Sequence, residues 1–315
     1  MTVAPIPLPQ QTDSSGLGDS SWITDCRDQL RDYPTYTLFN WQADGTNGVV
    51  AAGAIPLKLG NPPINDGSLS VTDNGTSRTV ITSGTPTGSQ VLVNYDTAEL
   101  TFATPPVAGH QIAASFQSVK WRDGTIEREL YGGLRAMFPQ IGMTYVDESI
   151  NIQVNQWDYG LPVWAQTPGA RISRVEVRDP NIITEPWRPL AGAMFRVGFD
   201  RLHIPWSQRY SPVAFLRITG WGPFMTLGDL PIELYELPLL YAKGRLMMNQ
   251  DTFRLREDTM VPLTQEGGQQ PGLLTSSGQG FMNEFRQRLQ EQARSYGPPE
   301  AGINQVSTYD RERYF

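Results

Sequence analysis

The residues able to carry chemistry are few. The chain has two histidines, His110 and His203, and one cysteine, Cys26. Neither histidine has a His, Cys or Asp partner at metal-ligand spacing along the chain, so a zinc site would have to be assembled from distant segments. Both read as sheet-face histidines. A single cysteine excludes an intrachain disulfide framework. Cys26 is either a reactive thiol or, as free cysteines usually are, a small apolar residue on the inner face of a helix. No G-x-S-x-G is present, and a Ser–His–Asp triad would have to use one of the two histidines. The stretch "GTPTGSQ" at Gly84–Gln90 resembles a phosphate loop only in its glycines, for it lacks the lysine and leads into a strand rather than a helix. Glu127 and Glu129 stand two apart on a helix and face different directions. Asp147 and Glu148 adjoin a turn, and Asp310 and Glu312 lie in a mixed-charge tail. A glycosidase's carboxylate pair has no fixed spacing in sequence, so that activity stays open without a motif to support it. Trp157, Trp164, Trp187, Trp206 and Trp221 fall in one β-rich region, where they serve as core or interface aromatics or as a sugar-stacking face.

The elements that would position such residues come from a chain long enough for about two domains. At 315 residues it can bury a real core. Gly and Pro supply 55 residues, which makes it rich in turns, yet short of the composition of a disordered chain. A net charge of −7 argues against general affinity for nucleic acid. The N-terminus has no basic start followed by an apolar run, so no signal peptide is expected, and no apolar run is long enough for a membrane helix. Synthesis in a cytoplasm and a soluble protein are the expectation.

Residues 1–20 are Pro-, Gly-, Ser- and Gln-rich and read as a flexible N-terminal arm. A helix follows within 21–34, capped by Ser20 or Ser21, with Trp22, Ile23, Cys26 and Leu30 on one face and Pro34 at its end. Residues 35–119 change character: short alternating runs are broken by Gly, Asn, Asp, Thr and Pro. Val91, Val93 and Tyr95 share a side, as do Leu100 with Phe102, and Ile112, Ala114 and Phe116. Period two with close turns predicts antiparallel sheet. Within 120–140 a helix returns, capped by Asp123, with Ile126, Leu130, Leu134 and Met137 or Phe138 repeating, and Pro139 stopping it. Gly132 and Gly133 inside that pattern would each cost about 1 kcal/mol against alanine, which suggests that another backbone packs closely there.

A second antiparallel β module is expected over 145–225, with strands in "SINIQVNQW", "ARISRVEVRD", "MFRVGFDRLHIP" and "VAFLRITGWG". A helix over 229–250 tolerates Pro231 in its first turn, while Pro238 either kinks it or marks its true start. Residues 251–315 form an extended C-terminal arm containing a long Gly/Gln/Ser-rich connection and a helix over 281–296. Phe281 or Met282, with Phe285 and Leu289, makes an apolar stripe on that helix, to be buried either on a partner or on its own domain. The fold class is therefore α+β: a small helical core with two antiparallel β modules, one inserted after the first helix, and an extended C-terminal arm ending in a helix.

Charge divides along the chain. Residues 1–119 carry ten acidic against four basic side chains, whereas 251–315 carry nine acids and seven arginines without a lysine. Arginine suits planar pairing with carboxylates on a partner.

The run "VLVNYDTAELTFATPPVAGHQIAASF", followed by "VKWRDGTIERELYGGLRAMFP", resembles the strand–turn–strand and entering helix of tailed-bacteriophage head-to-tail adaptor (connector) proteins. The segment "PGARISRVEVRDPN…WRPLAGAMFRVGFDRLHIP" is similar to the second β module of large adaptors. The resemblance covers roughly residues 20–250. It implies a structural virion protein without catalytic activity, cofactor or metal, located at the neck of the virion. It implies a homo-oligomeric ring, commonly twelve-fold, under the portal protein, meeting the tail or a neck stopper protein on its other face. Packaged DNA would pass through the lumen without specific binding, past an acid-rich wall. The module at 35–119 departs from the small, nearly all-helical adaptors. Portal contact is expected at Phe281, Phe285, Arg286, Arg288, Leu289 and Arg294, then Tyr309, Arg311, Arg313, Tyr314 and Phe315, since aromatics and arginines anchor interfaces. The alternatives are another phage neck, tail or baseplate protein, or a sugar-binding β-rich adhesin.

Overall fold

The computed structural model describes residues 19–43, 57–104, 106–153, 156–178, 186–190, 194–196, 201–204, 214–257 and 273–298. Helices and strands are both abundant among them, and the class is α+β. Of the arm expected at 1–20, residues 1–18 lie outside the described residues, as do the terminal residues 299–315, while Asp19 and Ser20 belong to the first helix instead. The chain divides into two compact units: Leu17–Leu130 with Arg245–Gly278, and Tyr131–Gly244 with the residues from Gln279 onward.

The first unit opens with α1 (Asp19–Leu30). Both serines expected to cap it lie inside the helix instead. Trp22 and Cys26 are fully buried and Leu30 nearly so, as the four-residue spacing requires. The helix stops at Leu30, ahead of Pro34, because Arg31 turns into the left-handed region at φ 52°. Seven strands follow: β1 (Thr35–Gln42), β2 (Leu57–Lys58), β3 (Ser70–Asp73), β4 (Thr76–Ile81), β5 (Gln90–Asn94), β6 (Glu99–Phe102) and β7 (Gln111–Ser118). They form one sheet in the order β1-β7-β3-β4-β5-β6-β2. The expected alternation holds: Val91, Val93, Tyr95, Leu100, Phe102, Ile112, Ala114 and Phe116 all enter one apolar core with Ile64 and Val71. Full burial of such a side chain is worth about 1.5–3 kcal/mol.

The expectation of a purely antiparallel module fails at one place. β4 and β5 pair parallel, Thr79 opposite Gln90 and Ile81 opposite Leu92. Residues 82–89, the stretch that resembled a phosphate loop, make the connection, with Gly84 and Gly88 at positive φ. Alternation reports which side chains face inward but not strand direction, so the sequence pattern could not separate the two pairings.

A buried polar cluster closes this unit. The Arg27 guanidinium pairs with Asp32 at 2.6 Å and Asp123 at 2.6 Å, and donates to Asn65 Oδ1 at 3.2 Å and the Trp121 carbonyl at 2.8 Å. Asp32 also accepts from the backbone N–H groups of Lys120 and Trp121. One cation thus joins α1, the loop before β3 and the start of α2 (Asp123–Met137). Asp123 is the first residue of α2 rather than its cap; its carboxylate is taken by Arg27 and by Asn65 Nδ2.

In the second unit, Gly133 of α2 lies against the backbone of α4 (Glu236–Glu257): a Cβ built there would stand 2.9 Å from Pro238 Cα. The two glycines were expected to mark a close backbone, and at Gly133 they do. α4 begins later than the expected 229, after 3-10 turns at Leu227–Asp229 and Ile232–Leu234. Pro238, in its first turn, marks the true start, because a missing N–H costs nothing there. The helix runs on to Glu257, into the stretch expected to be extended. α5 (Leu273–Tyr296) likewise starts eight residues before the expected 281; its early turns hold Gly278 and Gly280, which weakened the helical signal. The long connection between these helices lies at 258–272, outside the described residues.

The strands of this unit are β8 (Met143–Asn151), β9 (Asp158–Gly160), β10 (Arg171–Arg178), β11 (Arg188–Pro189), β12 (Met194–Arg196), β13 (Arg201–His203) and β14 (Phe215–Gly222), with a short α3 (Val163–Gln166) after β9. They make two antiparallel sheets rather than one, ordered β11-β10-β14-β8 and β12-β13-β9. The core holds Leu216, Ile218, Val175, Leu202 and Ile204 with Trp164 and Tyr159. Tyr145 stacks on Trp164 at 5.1 Å, and Phe138 meets Trp221 at 4.8 Å. Gly220 makes room for this packing: a Cβ there would lie 2.5 Å from the Trp164 ring and 2.4 Å from the Arg171 carbonyl. Among the described residues, no helix is long and apolar enough to cross a membrane.

Candidate functional site

Both histidines find an aspartate that the linear sequence did not offer. Asp73, buried at the end of β3, holds His110 Nδ1 at 2.7 Å and also pairs with Arg78. Burial alone would push the Asp73 carboxyl up, but hydrogen bonds from Arg78 and His110 outweigh it and hold the group below the ordinary carboxylate value. In the other unit, His203 stands directly opposite Asp158 across β13 and β9, with Nδ1 2.9 Å from Oδ1 and the Trp157 ring 6.1 Å away. An aspartate that fixes an imidazole is half of an acid–base device. The hydrogen bonds found among the described residues bring no serine, threonine or cysteine to either ring, and no group of three or more His, Cys, Asp or Glu among them could hold a metal.

A cleft of about 660 Å³ opens beside β5 and β6, lined in part by Asp66, Asn94, Tyr95, Asp96, Glu99 and Arg122. Arg122 is divided between Asp96 at 3.2 Å and Asp66 at 3.6 Å. Two carboxylates share that guanidinium and the third, Glu99, pairs with Lys58 at 3.6 Å, so the acidic side chains of the mouth are largely matched by cations. Glu127 and Glu129 separate as expected: Glu129 is buried beside Arg128 and Arg245, and Glu127 is only part-buried.

The outer faces of the two larger sheets differ. On the four-stranded sheet, Arg174, Glu176 and Arg178 of β10 share a face with Arg217 of β14. Arg217 binds Glu148 at 2.6 Å and approaches Glu176 at 3.9 Å. The Trp187 ring lies over this lattice, 4.1 Å from the Arg217 guanidinium and 4.8 Å from that of Arg178. Trp164 and Trp221 are buried and Trp157 is 49% exposed; Trp206 lies outside the described residues. Of the tryptophans considered for sugar stacking, then, two are core and one is covered by arginines.

The outer face of β1, β7, β3 and β4 carries no charge. Register fixes its members: Tyr36, Leu38, Asn40 and Gln42 stand opposite Gln117, Ser115, Ala113 and Gln111. Ser70 and Thr72 lie beyond Ser115 and Ala113, and Ser77 lies beyond Thr72. Tyr36 and Leu38 are 67% and 72% exposed. This face escaped the sequence reading. Each strand's polar positions are visible in the sequence, but their juxtaposition is a property of register.

Of the residues expected at a partner contact, Phe285 and Leu289 are buried within the chain itself, Phe285 edge-on to Tyr241 of α4 at 5.4 Å. The apolar stripe therefore docks on its own unit, one of the two fates expected for it. Phe281 lies under Lys243 at 4.2 Å. Arg288 pairs with Glu236 of α4 and with Glu284, and Arg286 donates to Asn283. Arg286 and Arg294 are exposed. Tyr309, Arg311, Arg313, Tyr314 and Phe315 lie outside the described residues. Comparison with protein-family models, with curated proteins and with solved structures finds no match to this chain.

Proposed function

We propose that the chain is a structural component of a tailed-phage virion, a head-to-tail adaptor that forms a ring under the portal and extends the DNA channel. In this reading helices within 21–34, 120–140 and 229–250 are the core, the β modules at 35–119 and 145–225 are its elaborations, and the C-terminal arm meets the portal. The observation that carries it is the unbroken run β5–β6–β7–α2. The quoted run folds as three strands with Phe102 and Phe116 buried, β5 pairing with β6 while β7 lies between β1 and β3, and the chain then enters a helix that packs on another at Gly133. That is the order of elements on which the resemblance rests.

With Phe285 and Leu289 occupied inside the chain, the portal contact falls to exposed Arg286 and Arg294, to Phe281 and Arg288 at the edge, and to the terminal Tyr309–Phe315. Arginines at a rim set partner choice and association rate more than affinity. The neck of the virion is the proposed location, and the portal, a tail or stopper protein and passing DNA are the proposed neighbours. The test is co-sedimentation of the full chain with the portal protein of the same genome. Stoichiometric binding that disappears on removing residues 299–315 and on Arg286→Glu with Arg294→Glu is the expected result. Binding indifferent to both changes, or no binding by the intact chain, overturns the assignment.

A further inference from the structure

We infer that the outer face of the four-stranded sheet holds a docking point for an Asp or Glu side chain of another protein, with Arg178 as its cation. Charge alternates across this face. Arg217 holds Glu148 at 2.6 Å and reaches Glu176 at 3.9 Å, and Arg174 meets Glu176 at 3.4 Å. Arg178 stands on the same face of β10, two positions beyond Glu176, yet among the described residues no carboxylate pairs with it. Its neighbours are aromatic instead. The Trp187 ring lies 4.8 Å from its guanidinium, and Phe215 stands directly opposite it on β14. A half-buried guanidinium beside rings holds its water weakly, which favours pairing with an incoming anion.

Two features choose a protein carboxylate over a nucleic acid. Three arginines against two glutamates leave this face one net positive charge, too little for a phosphate chain, which is held by a run of cations. The Trp187 ring is also engaged already, by Arg178 and by Arg217 at 4.1 Å, so the surface a base would stack on is taken. What stays open is a single planar fork, the geometry that fits one carboxylate. In a chain of net charge −7, a cationic point of this kind also steers an acidic partner that the rest of the surface repels. The docking point does not depend on the adaptor reading.

The test is a titration of the full chain, followed through the arginine Nε–H signals in nuclear magnetic resonance, with a capped peptide of alternating glycine and glutamate. The same peptide with glutamine for glutamate, and oligothymidylate, serve as the comparison probes. The signal that disappears in Arg178→Gln identifies Arg178. That signal is expected to shift saturably with the glutamate peptide and to stay in place with the glutamine peptide. Arg178→Gln should weaken peptide binding about tenfold, while Arg135→Gln on α2 leaves it unchanged. An unchanged circular dichroism melt keeps loss of binding distinct from unfolding. Four results overturn the inference. No shift with the glutamate peptide would mean that the chain itself supplies the carboxylate. An equal shift with the glutamine peptide would mean that charge is not what is read. Binding untouched by Arg178→Gln would place the contact elsewhere, and tighter binding of oligothymidylate at Arg178 would assign the face to nucleic acid.

Discussion

The seven-stranded sheet and the four-stranded sheet obey the same alternation and end with opposite exteriors. The first has an aliphatic and phenylalanine interior, a buried guanidinium joining its helices, and an outer face of Tyr, Leu, Ser, Thr, Ala and Gln. The second has an aliphatic interior built around Trp164 and Tyr159, and an outer lattice of Arg174, Glu176, Arg178, Arg217 and Glu148 under Trp187. Inward positions must be apolar in both, so they teach the fold. Outward positions are free to vary, so a contrast there speaks of surroundings. A charged lattice satisfies itself in water; a neutral face with projecting Tyr36 and Leu38 leaves apolar area uncovered.

The largest break in that contrast should come from Arg27→Met. It leaves Asp32 and Asp123 without their cation, at a cost of about 3–5 kcal/mol. Urea unfolding should then show the first unit melting before the second, whereas coincident melting would mean that the two unfold as one. Next comes Gly220→Ala, whose methyl collides with a carbonyl and an indole; about 1–3 kcal/mol is expected, read as loss of near-ultraviolet dichroism from Trp164 at lower denaturant. Trp187→Ala removes two guanidinium contacts from an open face and should cost about 1 kcal/mol. A change several times larger would show that Trp187 carries the sheet rather than decorating it.

The smallest effects are titrations. Asp73 has its folded value below its unfolded one, so its contribution is present above the unfolded value and fades as pH falls through the folded one. Asp73→Asn should flatten the acid side of the stability curve. Tyr145 behaves in reverse. Burial first, then the nearby Asp229 charge, raises it to about 12, so its contribution is intact below pH 10 and is lost as pH rises toward 12. Tyrosinate absorbance should therefore reveal two late-titrating tyrosines in the second unit, Tyr145 and Tyr296, the latter raised by burial and then by Glu233, and Tyr145→Phe should remove one of them.

The helices and most strands were legible because burial imposes period and Gly or Pro imposes ends. Cys26, the Val91–Val93–Tyr95 row and the Gly133 contact all sit where the pattern placed them. Helix ends were misread where the chain's local signals compete. Ser20 and Ser21 are good caps that the helix runs past, and Gly278 and Gly280 disguise the first turns of α5. The polar constellations were illegible for a different reason. Asp73 lies 37 positions from His110, and Asp123 lies 96 from Arg27, so no spacing rule reaches them. The split into two sheets and the parallel pair depend on direction and connectivity, which alternation does not encode.

The crossing at Gly133 has one more consequence. Main-chain atoms have no rotamers, so a helix pair that meets backbone to backbone cannot re-pack when its neighbours change. Its separation is set by atomic radii alone. In a saturation library this crossing should therefore act as a fixed gauge: almost no substitution at Gly133 itself should be tolerated, not even alanine.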